Sequence, residues 1–236
     1  MFCTSVELFE HFCYLISIAN STVMNSMDTS KDQSADQHIP EQKLGSYVDA
    51  AEQLTLSDEA TASAFFNVVK ERLLSVDKWS DFAGTAMSAF SLTDASGNPV
   101  NRLAQEGDYI RIDIPGPGTG LGKGYDWVKV EEIAMESEGN RESLTMRVRP
   151  ADNPRSGSGE TAHFFTEQAS STFQVKRNGR HISAEEHGRN EQANTYTAST
   201  ADNLRNMFVG WAATLGFSYP QWKSLVKGLI QFDTGK

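Results

Sequence analysis

The sequence predicts an α+β fold, in which a curved antiparallel sheet of about six or seven strands grips a C-terminal amphipathic helix that is followed by an extra C-terminal helix. Three observations lead to this prediction. Two segments with helical spacing precede residue 85, the pattern from Ala86 to Asn190 alternates as in half-buried strands, and helical spacing returns after residue 200. Strands joined by short turns form an antiparallel sheet that needs cover on one face only.

The first elements are a weak strand and two helices. Residues 47–56 are compatible with a strand or with a turn of helix. Ser57 is a plausible cap for the next helix, whose apolar residues recur at helical spacing: Ala62, Phe65, Phe66, Val69 and Leu73. Asp77 is a plausible cap for a shorter helix that carries Trp79 and Phe82 and ends at Gly84.

The middle of the chain reads as a series of strands. Ile110, Ile112 and Ile114 alternate with polar residues, and two later segments repeat this pattern through Val128 and Val130 and through Leu144, Met146 and Val148. Asn178-Gly179 is a typical two-residue hairpin turn. The register across this turn places Phe173 and Val175 opposite Ile182 and Ala184.

Two apolar stripes follow the predicted sheet. The stripe between residues 202 and 215 lies on one helical face and consists of Leu204, Met207, Phe208, Trp211, Ala212 and Leu215. Gly216 can end that helix. A capping box of Ser218 and Gln221 then begins a second helix, at 219–231, whose stripe consists of Tyr219, Trp222, Leu225, Val226, Leu229 and Ile230.

This order of elements resembles the helix-grip fold of the superfamily that includes START-related, polyketide-cyclase-like and plant pathogenesis-allergen proteins. The segment SDEATASAFFNVVKERLLSVDKWSDF is similar to the helix pair of that superfamily, and EGDYIRIDIP is similar to one of its central strands. The resemblance implies a curved sheet that wraps a C-terminal helix over an apolar cavity. The chain departs from the pattern in its poorly marked first strand and in the helix at 219–231, an added lid or a partner surface.

Composition and net charge indicate how the chain is divided into domains and which classes of partner are disfavoured. We expect residues 1–43 to be an N-terminal extension, disordered or preceding the true start, and residues 44–236 to form a single α+β domain. A net charge of -10 disfavours a nucleic-acid partner, and no apolar run is long enough to span a membrane. The two cysteines, Cys3 and Cys13, both lie in the extension, which fits a cytoplasmic protein.

Motifs for catalysis or metal binding are weak. Residues 115–124, PGPGTGLGKG, lack the spacing of a phosphate-binding loop and instead indicate a mobile connection. His181, Glu185 and His187 share one strand face, which is more typical of solvated sheet surface than of a metal site. His163 is a strand-end residue or a polar group in the cavity. We therefore predict no catalytic residue, no metal and no cofactor, and we leave open whether the chain is an enzyme.

The predicted function is binding of a small apolar or lipid-like molecule between the sheet and the C-terminal helix. The candidate ligand-binding residues are Trp127, Phe173, Met207, Phe208 and Trp211. The simpler interpretation is that they only pack the core. The alternative function is a non-enzymatic protein-protein interaction through the helix at 219–231 or through a basic stripe on the sheet, formed by Arg111, Lys129, Arg147 and Arg149.

Overall fold

The fold is built on one seven-stranded antiparallel sheet. The computed structural model describes residues 33–84, 88–114, 120, 122–157, 159–195, 200, 202, 206 and 219–233. The strands are β1 (Ser46–Thr55), β2 (Ala89–Thr93), β3 (Tyr109–Asp113), β4 (Asp126–Glu138), β5 (Arg141–Pro150), β6 (Ser170–Asn178) and β7 (His181–Glu191). Their order in the sheet is β1-β7-β6-β5-β4-β3-β2. The first strand therefore pairs with the last, and the weakly predicted β1 is an edge strand.

The hairpin predicted at Asn178-Gly179 joins β6 to β7. Val175 pairs with Ala184 as predicted, whereas Phe173 pairs with Glu186 instead of an apolar residue. The ladder shifts register between Ser46 and Val48 and again between Val130 and Glu132. Such irregularities bend the strands, which allows the sheet to curve around its apolar face.

Helix α2 covers part of that concave face. A single turn, α1 (Gln33–Asp36), precedes the sheet, and α2 (Glu59–Leu74) follows β1. Asp58, and not Ser57, is the N-cap of α2: its carboxylate accepts a hydrogen bond from Thr61 N at 2.8 Å. The buried face of α2 is the predicted one, consisting of Ala62, Phe65, Phe66, Val69 and Leu73. Its periodicity is confirmed because this face packs into the main core.

Two more helices complete the concave side. A 3-10 turn (Val76–Lys78) leads into α3 (Trp79–Ala83), which ends at Gly84 as predicted. Asp77 does not cap this helix, and its carboxylate instead accepts a hydrogen bond from Leu92 N in β2 at 3.0 Å. Helix α4 (Tyr219–Leu229) packs against α3 and β1.

The helix that lies against the sheet among the described residues is α4, which the sequence predicts as the extra helix at 219–231 and not as the helix gripped by the sheet. Leu225, Val226 and Leu229 are at most 1% exposed. The stripe of α4 is thus part of the core, and it is not a free surface for a partner. In the helix predicted at 202–215, the structure describes Asp202 and Asn206, and both are helical. The apolar residues of its stripe lie outside the described residues. No helix in the described part of the chain combines the length and apolarity needed to cross a membrane.

Residues 33–43, for which the sequence predicts no structure, lie along the convex face of the sheet. Lys176 forms an ion pair of 2.9 Å with Asp36, and His38 Nδ1 lies 2.6 Å from a carboxylate oxygen of Glu132. The buried amide of Gln174 donates a hydrogen bond to the carbonyl of Ala35. These contacts supply the polar groups of residues 33–43 with partners that the local sequence does not contain.

Candidate functional site

An apolar cavity of about 80 Å³ lies on the concave side of the sheet, beneath α3 and α4. Its apolar walls are formed by Trp79, Phe90, Ile110, Ile112, Ile114, Val128, Val148, Phe164, Phe165, Phe173 and Trp222. Five polar residues also line it, namely Ser88, His163, Ser171, Glu191 and Gln221. A mostly apolar enclosure with a few polar groups is the usual composition of a small-molecule site.

Three aromatic side chains form a continuous part of the wall. The Trp79 and Phe173 ring centroids are 4.8 Å apart, and those of Phe173 and Trp222 are 5.4 Å apart in an edge-to-face arrangement. The Trp79 indole N–H donates a hydrogen bond to Leu73 O at 3.0 Å, which satisfies the polar atom of this buried side chain. Phe173 therefore contacts both the helix pair and α4.

The predicted ligand-binding residues are distributed unevenly. Phe173 lines the cavity, as expected. Trp127 is buried but does not line it: Val128 faces the cavity, and neighbouring residues of a strand point to opposite faces. The Trp127 indole instead donates to Gly122 O at 3.3 Å. Met207, Phe208 and Trp211 lie outside the described residues.

The imidazole side chain of His163 lines the cavity. It is 6% exposed, and its ring stacks on Phe164 with centroids 4.2 Å apart. The Nδ1 atom accepts a hydrogen bond from Phe165 N at 2.9 Å. In the neutral ring this contact places the proton on Nε2, so His163 is a polar cavity group rather than only a strand-end residue.

Glu191 is the carboxyl group in the cavity wall. It is 7% exposed, and burial raises the pKa of its carboxyl from 4.5 to about 7, although the Ser46 hydroxyl and the positive charge of Arg189 act in the opposite direction. The Ser46 hydroxyl lies 3.3 Å from Glu191 Oε2. Near neutral pH this group is thus present in both its acid and its carboxylate form.

A local irregularity at the end of β7 brings Glu191 to the concave face. Asn190 has a φ of +57°, and β1 and β7 shift register at this point. The Asn190 side chain accepts a hydrogen bond from Lys43 N at 2.7 Å and donates to Glu41 O at 3.0 Å. Gly188 leaves space for the carboxyl, because a Cβ there would lie 2.5 Å from Glu191 Oε1.

A second carboxyl, that of Glu186, lies on the same strand face. Glu186 is fully buried. In the sheet it lies opposite Ala50 of β1 on one side and opposite Phe173 of β6 on the other. Burial, and next the negative charge of Glu191, raise the pKa of Glu186 well above its usual range. The Ser171 hydroxyl acts on this pKa in the opposite direction, although neither Glu186 oxygen accepts a full hydrogen bond from a described group.

Sequence reasoning missed both carboxyl groups. A signal for Glu186 was present, since it continues the alternation of Ile182 and Ala184 and is therefore a glutamate on an apolar strand face. No comparable signal existed for Glu191, whose orientation depends on the backbone conformation of Asn190.

The predicted face of His181, Glu185 and His187 carries an ion-pair network on the other side of the sheet. His187 lies 2.6 Å from Asp49 and 3.2 Å from Glu185, while Lys176 lies 2.9 Å from Glu185. Against the cost of burial, these contacts raise the pKa of His187 to about 9 and lower that of Glu185 to about 2. Glu185 and His187 are therefore half-buried and paired rather than solvated. Within the described ranges, no cluster of side chains suited to a metal ion is found.

The predicted basic stripe is largely neutralised within the molecule. Arg147 and Arg149 both pair with Glu131, at 3.3 and 2.8 Å. The Arg111 guanidinium lies 4.4 Å from the centre of the Tyr125 ring. Of the glycine-rich loop, residues 115–119 and 121 lie outside the described residues. Gly120 N donates a hydrogen bond to Asp202 at 2.8 Å, which links the loop to the helical residues after 200.

No protein-family model and no curated protein sequence matches the chain. Among solved structures, it is similar to the major latex-like protein 151 of Panax ginseng, with 12% identity, 71% of this chain and 94% of that chain covered, and a TM-score of 0.31. It is also similar to a START superfamily protein of Mycobacterium smegmatis, with 9% identity, coverages of 78% and 99%, and a TM-score of 0.30.

A third similar structure is the ZhuI aromatase/cyclase of Streptomyces sp. R1128, with 9% identity, coverages of 78% and 94%, and a TM-score of 0.34. With TM-scores below 0.5, nothing about the chemistry of this chain follows from these likenesses. The helix-grip arrangement predicted from the sequence is instead confirmed by the antiparallel strand order and by α4 against the concave side of the sheet.

Proposed function

We propose that this protein binds a small, mainly apolar molecule in the cavity between the sheet and the C-terminal helix. The supporting observation is the cavity itself, which is bounded mainly by aromatic and aliphatic side chains, several of them members of the main core. A water molecule needs about 10–15 Å³ of such a volume, so the cavity has room for about five to eight atoms of that size. A single substituted aromatic ring is the class of ligand that fits.

Ethylbenzene is a suitable probe, because it has the required size and no polar group. We expect it to raise the thermal midpoint of the full chain and to give a saturable calorimetric signal. Absence of both effects at concentrations near its solubility would overturn the proposal.

A pair of valine variants locates the site. Val148 is in the cavity wall, whereas Val68 lies on the outer face of α2 and is 43% exposed. Val148→Phe fills the cavity and should abolish ethylbenzene binding, and Val68→Phe adds the same atoms outside and should leave binding unchanged. Circular dichroism establishes that both variants are folded. Equal ethylbenzene affinity in the two folded variants would place binding elsewhere and refute the proposal.

A further inference from the structure

The carboxyl groups of Glu186 and Glu191 lie on the concave side of β7, a face that otherwise carries Ile182, Ala184 and Gly188. Glu191 lines the cavity, as does Ser171, the hydroxyl residue that interacts with Glu186. Both glutamates are at least nine-tenths buried. Two buried carboxyls on one apolar face destabilise a fold unless hydrogen bonds or opposite charges compensate them.

No cation in the described part of the protein supplies that compensation from inside the cavity. The lining residues include no Lys or Arg. Arg189 and His187, the cations that act on the two carboxyls, have their side chains on the convex face and pair there with Asp49, at 2.8 and 2.6 Å.

The other elements packed around the cavity also carry charged or polar side chains, and these have partners elsewhere or add negative charge. From α4, Gln221 and Trp222 face the cavity, whereas Lys223 forms an ion pair of 3.0 Å with Glu52. Across the cavity, His163 Nδ1 already accepts a backbone hydrogen bond. Asp49, on the neighbouring strand, adds negative charge near Glu186 and raises its pKa further. Among the described residues, this end of the cavity therefore holds carboxyl groups and no lysine or arginine.

We propose that the cavity selects molecules with a protonated amine on a small apolar body, and that Glu191, with Glu186 behind it, receives the ammonium group. The inference rests on the proposed function and specifies its ligand class. An ammonium group carries three donors, and one of them can bond the carboxylate of Glu191, which lines the cavity. The aromatic wall of Trp79, Phe173 and Trp222 then encloses the apolar body.

The test compares four probes of nearly equal size by isothermal titration calorimetry of the full chain near neutral pH. Benzylamine, protonated at this pH, is set against ethylbenzene, benzyl alcohol and toluene. A charge-assisted hydrogen bond in a buried site gives a preference of roughly ten- to a hundred-fold. We expect benzylamine to bind more tightly than the other three by about that factor.

Proton release gives a second readout. Because the Glu191 pKa is about 7, about half a proton should leave the site when the ammonium binds at neutral pH. This release appears as a dependence of the calorimetric heat on the ionisation enthalpy of the buffer. A purely structural role of Glu191 would produce no such dependence.

Two glutamine variants test whether the benzylamine preference and the proton release depend on Glu191. Glu191→Gln should remove the benzylamine preference and the proton release. Glu71→Gln makes the same charge change at an exposed site on α2 and should preserve both. Loss of the preference in both variants would show a general effect of net charge and would refute the inference.

The remaining outcomes separate the two proposals. Equal binding of benzylamine and ethylbenzene without proton release overturns the amine inference and leaves the proposed function intact. Binding of benzyl alcohol as tight as that of benzylamine shows recognition of a neutral donor and also overturns it. If none of the four probes binds, both proposals fail.

Discussion

Replacing Glu191 by Gln should make the protein more stable above neutral pH and leave its stability almost unchanged in mild acid. In the wild-type protein the buried carboxyl keeps its proton up to about pH 7, while in the unfolded chain it loses the proton near its ordinary pKa of 4.5. Between these two values the folded state binds more protons than the unfolded state. The free energy of unfolding therefore falls as pH rises through this window.

The size of the effect follows from the two pKa values. Each pKa unit corresponds to about 1.4 kcal/mol, so the difference between 4.5 and about 7 destabilises the wild-type protein by about 3 kcal/mol above pH 7. Glutamine has nearly the shape of the protonated acid and does not ionise. We expect Glu191→Gln to exceed the wild type by about 3 kcal/mol near pH 8 and by less than about 1 kcal/mol near pH 5.

Urea denaturation of both proteins at these two pH values measures the difference directly. Glu71→Gln serves as the control, because its exposed side chain should give the same small difference at both pH values. A Glu191→Gln effect that does not grow with pH would refute the reasoning. So would a variant that is less stable, relative to the wild type, near pH 8 than near pH 5.

Three further changes test other parts of the fold. His187 has a raised pKa of about 9 against an ordinary 6.5, so its ion pairs stabilise the protein fully below pH 6.5 and progressively less up to pH 9. Urea denaturation should show His187→Gln to be destabilised near pH 6 but not near pH 10. Gly228→Ala should cost about 3 kcal/mol in the same assay, because a Cβ there would lie within 1.9 Å of Phe82 O. Asp58→Ala should lower the thermal midpoint more than Ser57→Ala does, since Asp58 is the cap of α2.

Elements with a strong internal period were predictable from the sequence. The buried face of α2 was identified residue by residue, because a helix that covers a sheet must place its apolar residues three and four positions apart. The β6–β7 hairpin was predictable because Asn-Gly favours the backbone conformation of a two-residue turn. In both cases the determining interactions are local.

Features that depend on distant partners were not predictable. Residues 33–43 contain almost no apolar side chains, yet three of them find partners on strands much later in the chain. Asp36 pairs with Lys176, His38 with Glu132, and Gln42 with Asn190, at separations between 94 and 148 positions. Composition alone suggests disorder for such a segment because the energy of those contacts is not visible locally.

In the candidate site, too, one residue was predictable from the local pattern and another was not. The aromatic Phe173 was expected in the cavity because apolar periodicity assigns it to the core face. Glu191 was not expected there, because a regular strand would direct residues 188 and 191 to opposite faces. The φ of +57° at Asn190 inserts one residue and returns Glu191 to the face of Gly188.

The alternation of β7 also explains why the cations of this strand, among the described residues, do not lie beside the two buried carboxyls. Residues at odd positions, including His187 and Arg189, point to the convex face, where Asp49 neutralises them. Glu186 points to the concave face, and the bulge adds Glu191 to it. Glu186 and Glu191 are thus separated from His187 and Arg189 by the thickness of the sheet, and neither pair can move to the other side without reversing the register of the whole strand. In the proposed complex, the positive charge of the ligand therefore reaches Glu191 from the cavity that this residue lines.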